Sequence, residues 1–189
     1  MEKRTDEELM LAFARGELCA FDELFLRYWQ KLRRFFIRRL DDRSGAEELA
    51  QDTFLIVFRA ASRYEPRALF RTYLYAIGLR VLRRERRRAR VRALLFLREP
   101  SREPGAPHRA DTGLWIRDVL QRLPAKDREV LMLREYDQLS YVEIATVLGM
   151  RVNTVRSRLF RARQALRELL LSEKKANSPV VIDAQQEET

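Results

Sequence analysis

The stretch SYVEIATVLGMRVNTVRSRLFRARQAL at residues 140–166 carries the pattern that decides the fold. Ser140 and Glu143 have the spacing of a capping box, in which each side chain bonds the other residue's backbone N–H at the start of a helix. Gly149 ends the apolar run and can adopt the left-handed conformation that stops a helix. Because a second helical pattern follows within a few residues, the stretch predicts a helix-turn-helix.

The second helix of this pair is predicted to bury one face and to present basic side chains on the others. Its apolar stripe consists of Val155, Leu159, Ala162 and Leu166. The residues away from that stripe are Arg156, Ser157, Arg158, Phe160, Arg161 and Arg163. Guanidinium groups match phosphates and guanine edges, so this helix is predicted to recognise DNA. The alternative is a helical hairpin with a solvated arginine face.

Composition favours a soluble, helix-rich chain that binds nucleic acid. The formal charge of the 189 residues is +10, which also suits an anionic membrane surface or a basic surface without such a ligand. Cys19 and His108 are the only cysteine and histidine, so no disulfide within the chain and no Cys/His zinc site is expected. Neither a signal core nor a run of about twenty apolar residues is present, which predicts a cytoplasmic protein that does not insert into membranes.

Apolar periodicity predicts four helices upstream of the helix-turn-helix domain. Their extents are Thr5 to Gly16, Phe21 to Leu40, Ser44 to Ala60, and a fourth from near Phe70. In the third, Phe54, Leu55 and Phe58 lie outside the buried stripe, which indicates either a central core position or a docking surface. The fourth helix runs into the arginine-rich residues 83–92, which either contact DNA or are solvated at the helix end.

The predicted architecture is all-α, with two small helical domains joined by a flexible linker. Prolines and glycine without apolar periodicity mark the linker, and a polar composition marks the tail. The predicted boundaries are 1–92 for the first domain, 93–112 for the linker, 113–172 for the helix-turn-helix domain and 173–189 for a disordered tail.

Six segments together resemble one family of bacterial proteins. The segments LPAKDREVL at 123–131, LSYVEIA at 139–145 and TVRSRLFRAR at 154–163 resemble the carboxy-terminal domain of extracytoplasmic-function (ECF) sigma factors, within the sigma-70 family. Upstream, FDELF at 21–25, AEELAQDTF at 46–54 and FRTYL at 70–74 resemble the amino-terminal domain of the same group, in the same order. The resemblance implies an alternative sigma factor that binds core RNA polymerase and directs promoter-specific initiation, without enzymatic activity or cofactor.

The resemblance also implies roles for individual residues. It assigns the −35 promoter element to Arg156, Ser157, Arg158, Phe160 and Arg161. It assigns the separated −10 strand to Tyr64, Arg71, Tyr73 and Arg80, where rings can stack on flipped bases. It assigns contact with the clamp helices of polymerase to Glu48, Gln51, Asp52 and Leu55. It places the first helices of the second domain against the polymerase flap. An anti-sigma factor is a further implied partner.

The chain departs from the family's pattern in the fourth helix and in the linker. Tyr73 stands where tryptophan is common, residues 78–80 replace an Ala-Arg-Asn triplet, and the linker is basic rather than acidic. Two alternatives therefore stay open. One is a dimeric helix-turn-helix regulator that acts without polymerase, and the other is a sigma-like decoy that binds an anti-sigma factor. Arg156 and Arg161 argue against the decoy, which has no use for them.

Overall fold

The computed structural model describes residues 4–40, 43–95 and 112–176. Within these ranges the chain forms α-helices, one short 3-10 turn and connecting segments, with no strand, which confirms the predicted all-helical class. The helices are α1 (Asp6–Ala14), α2 (Leu18–Ile37), α3 (Arg43–Arg59), α4 (Phe70–Leu95), α5 (Thr112–Gln121), α6 (Ala125–Glu135), α7 (Tyr141–Leu148) and α8 (Val152–Ala176). The 3-10 turn, Ala61–Arg63, follows α3.

The first domain consists of α1 to α4 packed around an aromatic core. The Thr5 hydroxyl accepts from the Glu8 N–H at 3.2 Å, and the Glu8 carboxylate accepts from the Thr5 N–H at 2.8 Å, so a capping box starts α1. Fully buried side chains from α2 and α4 fill the centre: Leu24, Leu32, Phe35, Phe36, Phe70 and Leu74. A Cβ at Gly78 would lie 3.3 Å from the Leu32 Cδ1, so glycine allows close approach of these helices.

The second domain consists of α5 to α8, with the helix-turn-helix formed by α7 and α8. Ser140 and Glu143 form the predicted capping box, and Gly149 has a φ of 65°, the left-handed conformation predicted for it. Apolar side chains from all four helices and from two of their connections form the core: Val119, Leu123, Val130, Leu133, Leu139, Ile144, Val155 and Leu159.

Three helices extend past the predicted domain boundaries. Helix α4 continues to Leu95, beyond position 92, α5 begins at Thr112, one residue before position 113, and α8 continues to Ala176, beyond position 172. Residues 173–176 are good helix formers and prolong α8, and the disordered tail stays a prediction. The rest of the predicted linker and tail, residues 96–111 and 177–189, lies outside the described residues.

The two domains pack against each other, with α7 lying on α4. At the end of α2, Arg39 donates to Glu129 and to Asp137, both at 2.9 Å, and its guanidinium lies 3.8 Å from the centre of the Phe35 ring. The side chains of Arg39 and Asp137 are each 1% exposed. Burial raises the pKa of Asp137 above its ordinary value, against the opposing effect of Arg39 and Arg38. A buried ion pair thus joins residues nearly one hundred positions apart.

Candidate nucleic-acid and polymerase interfaces

Helix α8 places four of its five predicted −35 residues on one accessible side. Val155, Leu159 and Ala162 are buried against the rest of the domain. On other faces Arg156 and Ser157 are exposed, the Phe160 side chain is 65% exposed and the Arg161 side chain 57%. The Ser157 hydroxyl donates to the Asn153 carbonyl at 2.9 Å, which leaves its lone pairs able to accept a hydrogen bond. This side offers two guanidinium groups, a hydroxyl and an aromatic ring to a ligand.

Arg158 lies apart from the other four, on the flank of α8 that faces α6. Its guanidinium donates to the Asp127 carboxylate at 2.8 Å, and its side chain is only 21% exposed. The second Asp127 oxygen accepts from Arg161 at 3.4 Å. Asp127 therefore fixes one arginine of the recognition helix and loosely holds another. Sequence reasoning missed this role, because an acidic residue in the first turn of a helix is expected for the helix dipole alone.

The predicted −10 residues cluster around three aromatic rings near the start of α4. The Tyr64 ring lies 5.2 Å from that of Tyr73 and 6.3 Å from that of Phe70. Tyr64 is buried, its hydroxyl has no hydrogen-bond partner among the described residues, and burial raises its pKa to about 12. Tyr73 is half-buried and Arg80 is exposed. The accessible members are thus Tyr73 and Arg80, with Tyr64 beneath.

Arg71, the remaining predicted −10 residue, is paired across the domain interface. Its Nη2 donates to one Glu143 carboxylate oxygen at 2.6 Å, and its Nε donates to the other. The Thr72 hydroxyl lies 3.2 Å from the same carboxylate, in position to donate to it. Glu143, the capping residue of α7, therefore binds the guanidinium of Arg71, which is predicted to contact the separated strand. Sequence reasoning did not find this contact.

Helix α3 presents an exposed stripe opposite its buried one. The predicted polymerase contacts Glu48, Gln51, Asp52 and Leu55 are all exposed, and their spacing puts them on one face. Leu55, Ile56 and Phe58 are 49%, 38% and 45% exposed, whereas Leu49, Phe54 and Val57 are buried. Phe54 therefore belongs to the core, whereas Leu55 and Phe58 are accessible, and docking on this face stays a prediction.

The arginine run at the end of α4 faces mostly outward. Arg83, Arg84, Arg87, Arg88 and Arg90 are exposed. Arg86 turns inward and donates to the Arg39 carbonyl at 3.1 Å, and burial lowers its pKa. Leu79 is 2% exposed and belongs to the core.

The described residues contain no group of three or more histidine, cysteine, aspartate or glutamate residues that could hold a metal ion. No helix in residues 4–40, 43–95 and 112–176 is long and apolar enough to cross a bilayer.

Comparison with known proteins places both domains in one family. Residues 24–92 match the family described as Sigma-70 region 2, and residues 113–166 match Sigma-70, region 4. The RNA polymerase sigma-H factor of Pseudomonas aeruginosa is 32% identical, over 90% of this chain and 96% of that protein. The RNA polymerase sigma factor CarQ of Myxococcus xanthus is 33% identical, over 85% of this chain and 95% of that protein.

Solved structures give the same result for the fold. The structure of CnrH in complex with the cytosolic domain of CnrY aligns with a TM-score of 0.70 at 28% identity, covering 92% of this chain and 99% of that one. Sigma factor RpoE of Bartonella quintana, in complex with the anti-sigma factor NepR, aligns with a TM-score of 0.60 at 26% identity, covering 80% and 96%. The chain therefore belongs to the ECF sigma factors of the sigma-70 family, non-enzymatic proteins that bind RNA polymerase and direct promoter-specific transcription initiation.

Proposed function

We propose that this sigma factor reads the −35 element with the accessible side of α8 formed by Arg156, Ser157, Phe160 and Arg161. Exposure supports the assignment, since these side chains reach solvent while the apolar stripe is buried. Each bidentate contact of an arginine with guanine contributes about 1–3 kcal/mol of discrimination. Arg158, paired with Asp127, holds α8 against α6 instead of reading bases.

The separated −10 strand binds at the aromatic cluster that precedes and begins α4. Tyr73 supplies an accessible ring for base stacking, worth about 1–3 kcal/mol per base, and Tyr64 supports it from below. Arg80 and Arg71 supply positive charge on the same helix. Tyr64 therefore acts as a support for the stacking ring and not as the stacking surface itself.

Core polymerase binds the exposed stripe of α3. Acidic, amide and apolar side chains alternate there on one face, and the leucine and phenylalanine beside them remain accessible in the free chain. Exposed apolar groups rimmed by charged ones are typical of protein interfaces. Helices α5 and α6 face the flap, and Glu48, Gln51, Asp52 and Leu55 face the clamp helices.

Promoter binding requires the two domains to separate. The promoter elements lie about 58 Å apart for a spacing of roughly 17 base pairs. Residues 96–111, if extended, reach on the order of 50 Å, and the end of α4 beyond Arg80 adds roughly 20 Å. The chain is long enough to span both elements once the contact between α4 and α7 is broken.

Regulation by an anti-sigma factor in the cytoplasm completes the proposal. The aligned RpoE structure contains an anti-sigma factor, and the aligned CnrH structure contains the cytosolic domain of CnrY. Cys19, the single cysteine, suits a reducing compartment.

Run-off transcription with purified core polymerase on fragmented genomic DNA tests this function. Transcripts that depend on this protein, with start sites that share two upstream elements, are the expected result. An absence of such transcripts, combined with tight binding to a partner from the same cell, would instead indicate the decoy.

A further inference from the structure

The contact between Arg71 and Glu143 has the geometry of an anion-binding site. Two nitrogens of one guanidinium donate to the two oxygens of the carboxylate, and the Thr72 hydroxyl lies within hydrogen-bond distance of it. This forked arrangement is the one by which arginine binds carboxylates and phosphates alike. While the two domains are in contact, the anion bound by Arg71 is the Glu143 carboxylate of the second domain.

The occupied site is largely removed from solvent. The Glu143 side chain is 8% exposed and Thr72 is 1% exposed, whereas the Arg71 side chain keeps 39% of its surface. The same Glu143 carboxylate also accepts from the Ser140 N–H at 2.9 Å, so the capping box holds it in place. The ionised Glu143 carboxylate is strongly bound because it is buried and hydrogen-bonded. Its removal would leave the Arg71 guanidinium accessible from one side.

A second ion-pair cluster fixes the domains so that Glu143 reaches Arg71. Arg39 lies between Glu129 and Asp137 at the other end of the interface, and its own side chain is buried. Two separated charged contacts therefore define one relative placement of the domains.

This placement excludes simultaneous binding of both promoter elements. Only residues 149–151 separate α7 from α8, so the predicted −35 residues lie within a few turns of Glu143. With Glu143 bonded to Arg71, the two promoter-binding regions cannot reach elements about 58 Å apart. Separation of the two domains frees the Arg71 guanidinium, and the separated DNA strand can bind only when this guanidinium is free.

We propose that Arg71 and Thr72 form a phosphate-binding site for the separated DNA strand, and that Glu143 occupies it as an internal competitor while the domains are closed. The proposal rests on the proposed function and adds a specific antagonism to it. Backbone phosphate and the helix-turn-helix domain compete for one guanidinium. Free sigma factor therefore binds single strands weakly, and separation of the domains exposes the site.

The substitution Glu143→Gln isolates the competition. Glutamine keeps the capping box, because that motif accepts either residue at its third position, but it removes the charge that pairs with Arg71. The matched control is Glu135→Gln, which removes one charge from the same domain at an exposed pair with Arg163. Arg71→Ala and the double variant Arg71→Ala with Glu143→Gln complete a thermodynamic cycle.

Fluorescence anisotropy measures the affinity of the full-length protein for a short fluorescein-labelled single strand taken from a mapped promoter. The affinity of Glu143→Gln for the strand is expected to be roughly three- to tenfold higher than that of the unsubstituted protein. The reason is that only a minority of the unsubstituted protein is in the open, binding-competent state. It should be unchanged in Glu135→Gln, and the gain should vanish when Arg71 is alanine. Equal affinity of Glu143→Gln and Glu135→Gln, or a gain that survives Arg71→Ala, overturns the proposal.

A second measurement leaves the interface between the two domains unaltered, so it tests the proposal even when an interface variant misfolds. One dye is attached to the exposed Cys19 and a second to a cysteine introduced at the exposed Glu168. Addition of the unlabelled strand should lower energy transfer, and unchanged transfer at saturating strand overturns the competition. Failure of the proposed function would be distinguishable, because it removes polymerase-dependent transcripts altogether.

Discussion

Arg39 and Asp137 form an ion pair at 2.9 Å that lies wholly inside the interface between the two domains. Asp137 follows α6, and Arg39 follows α2. Neither residue belongs to the predicted DNA or polymerase contacts. Their pairing instead holds the closed form of the chain, together with Glu129.

We predict that Arg39→Ala opens the chain without unfolding it. Removal of one partner from a buried pair costs about 3–5 kcal/mol while the other stays buried. When the domains separate, water hydrates the Asp137 carboxylate, so the free-energy cost of a buried unpaired charge is avoided. Small-angle X-ray scattering should therefore show a larger radius of gyration. Arg33→Ala, which breaks a more exposed pair with Glu47, should leave the radius unchanged, and equal radii for the two variants would contradict the prediction.

Arg156→Ala and Arg161→Ala should each weaken discrimination between −35 sequences by about 1–3 kcal/mol. Run-off transcription on templates with altered −35 elements measures this effect. Arg167→Ala removes the same charge from an exposed position further along α8 and serves as the control. An equal loss on every −35 sequence would exclude base reading by these arginines.

Asp52→Arg should abolish holoenzyme assembly while leaving the fold intact. The side chain is exposed on the docking face of α3, so charge reversal there disturbs the interface and not the core. Gel filtration with core polymerase reports assembly, and circular dichroism reports the fold. Glu168→Arg makes the same charge change on α8. Normal assembly of Asp52→Arg would remove the clamp-docking assignment.

The Arg71–Glu143 pair should persist in acid. Burial alone would raise the pKa of Glu143, but hydrogen bonds from Arg71 and Ser140 outweigh it and lower the pKa from 4.5 to about 2. Because the folded-state pKa is depressed, this carboxylate contributes stability that is present above pH 4.5 and is lost as the pH falls through about 2. Side-chain carboxyl NMR titration, with Glu143→Gln to assign the signal, measures the value. A midpoint near 4.5 would contradict the pair.

Local features of the fold were accessible from sequence. The capping boxes at Thr5 and Ser140 and the left-handed Gly149 depend on neighbours within a few residues, so their patterns are visible in the chain. Helix α3 begins at Arg43, one residue before the predicted start, and Glu47 in its first turns pairs with Arg33 at 2.6 Å. Helix ends are the least determined part of such patterns.

Contacts between distant residues were not accessible from sequence. Arg158 was predicted to read bases with its neighbours, but its place on the flank of α8 becomes apparent only when α6 brings Asp127 against it. Tyr64 was predicted to stack on bases, and packing of Phe70 and Tyr73 around it decides its burial. The pairing of Arg71 with Glu143 joins residues 72 positions apart without any periodic signal.

Energy transfer in the promoter complex tests most directly the claim that one chain closes when free and opens to span both elements. Dyes at Cys19 and at a cysteine replacing Glu168 should show high transfer in the free protein, and low transfer in a transcribing complex of polymerase, sigma factor and promoter. Equally high transfer in that complex would contradict the account, because the two domains would then be in contact while transcription proceeds.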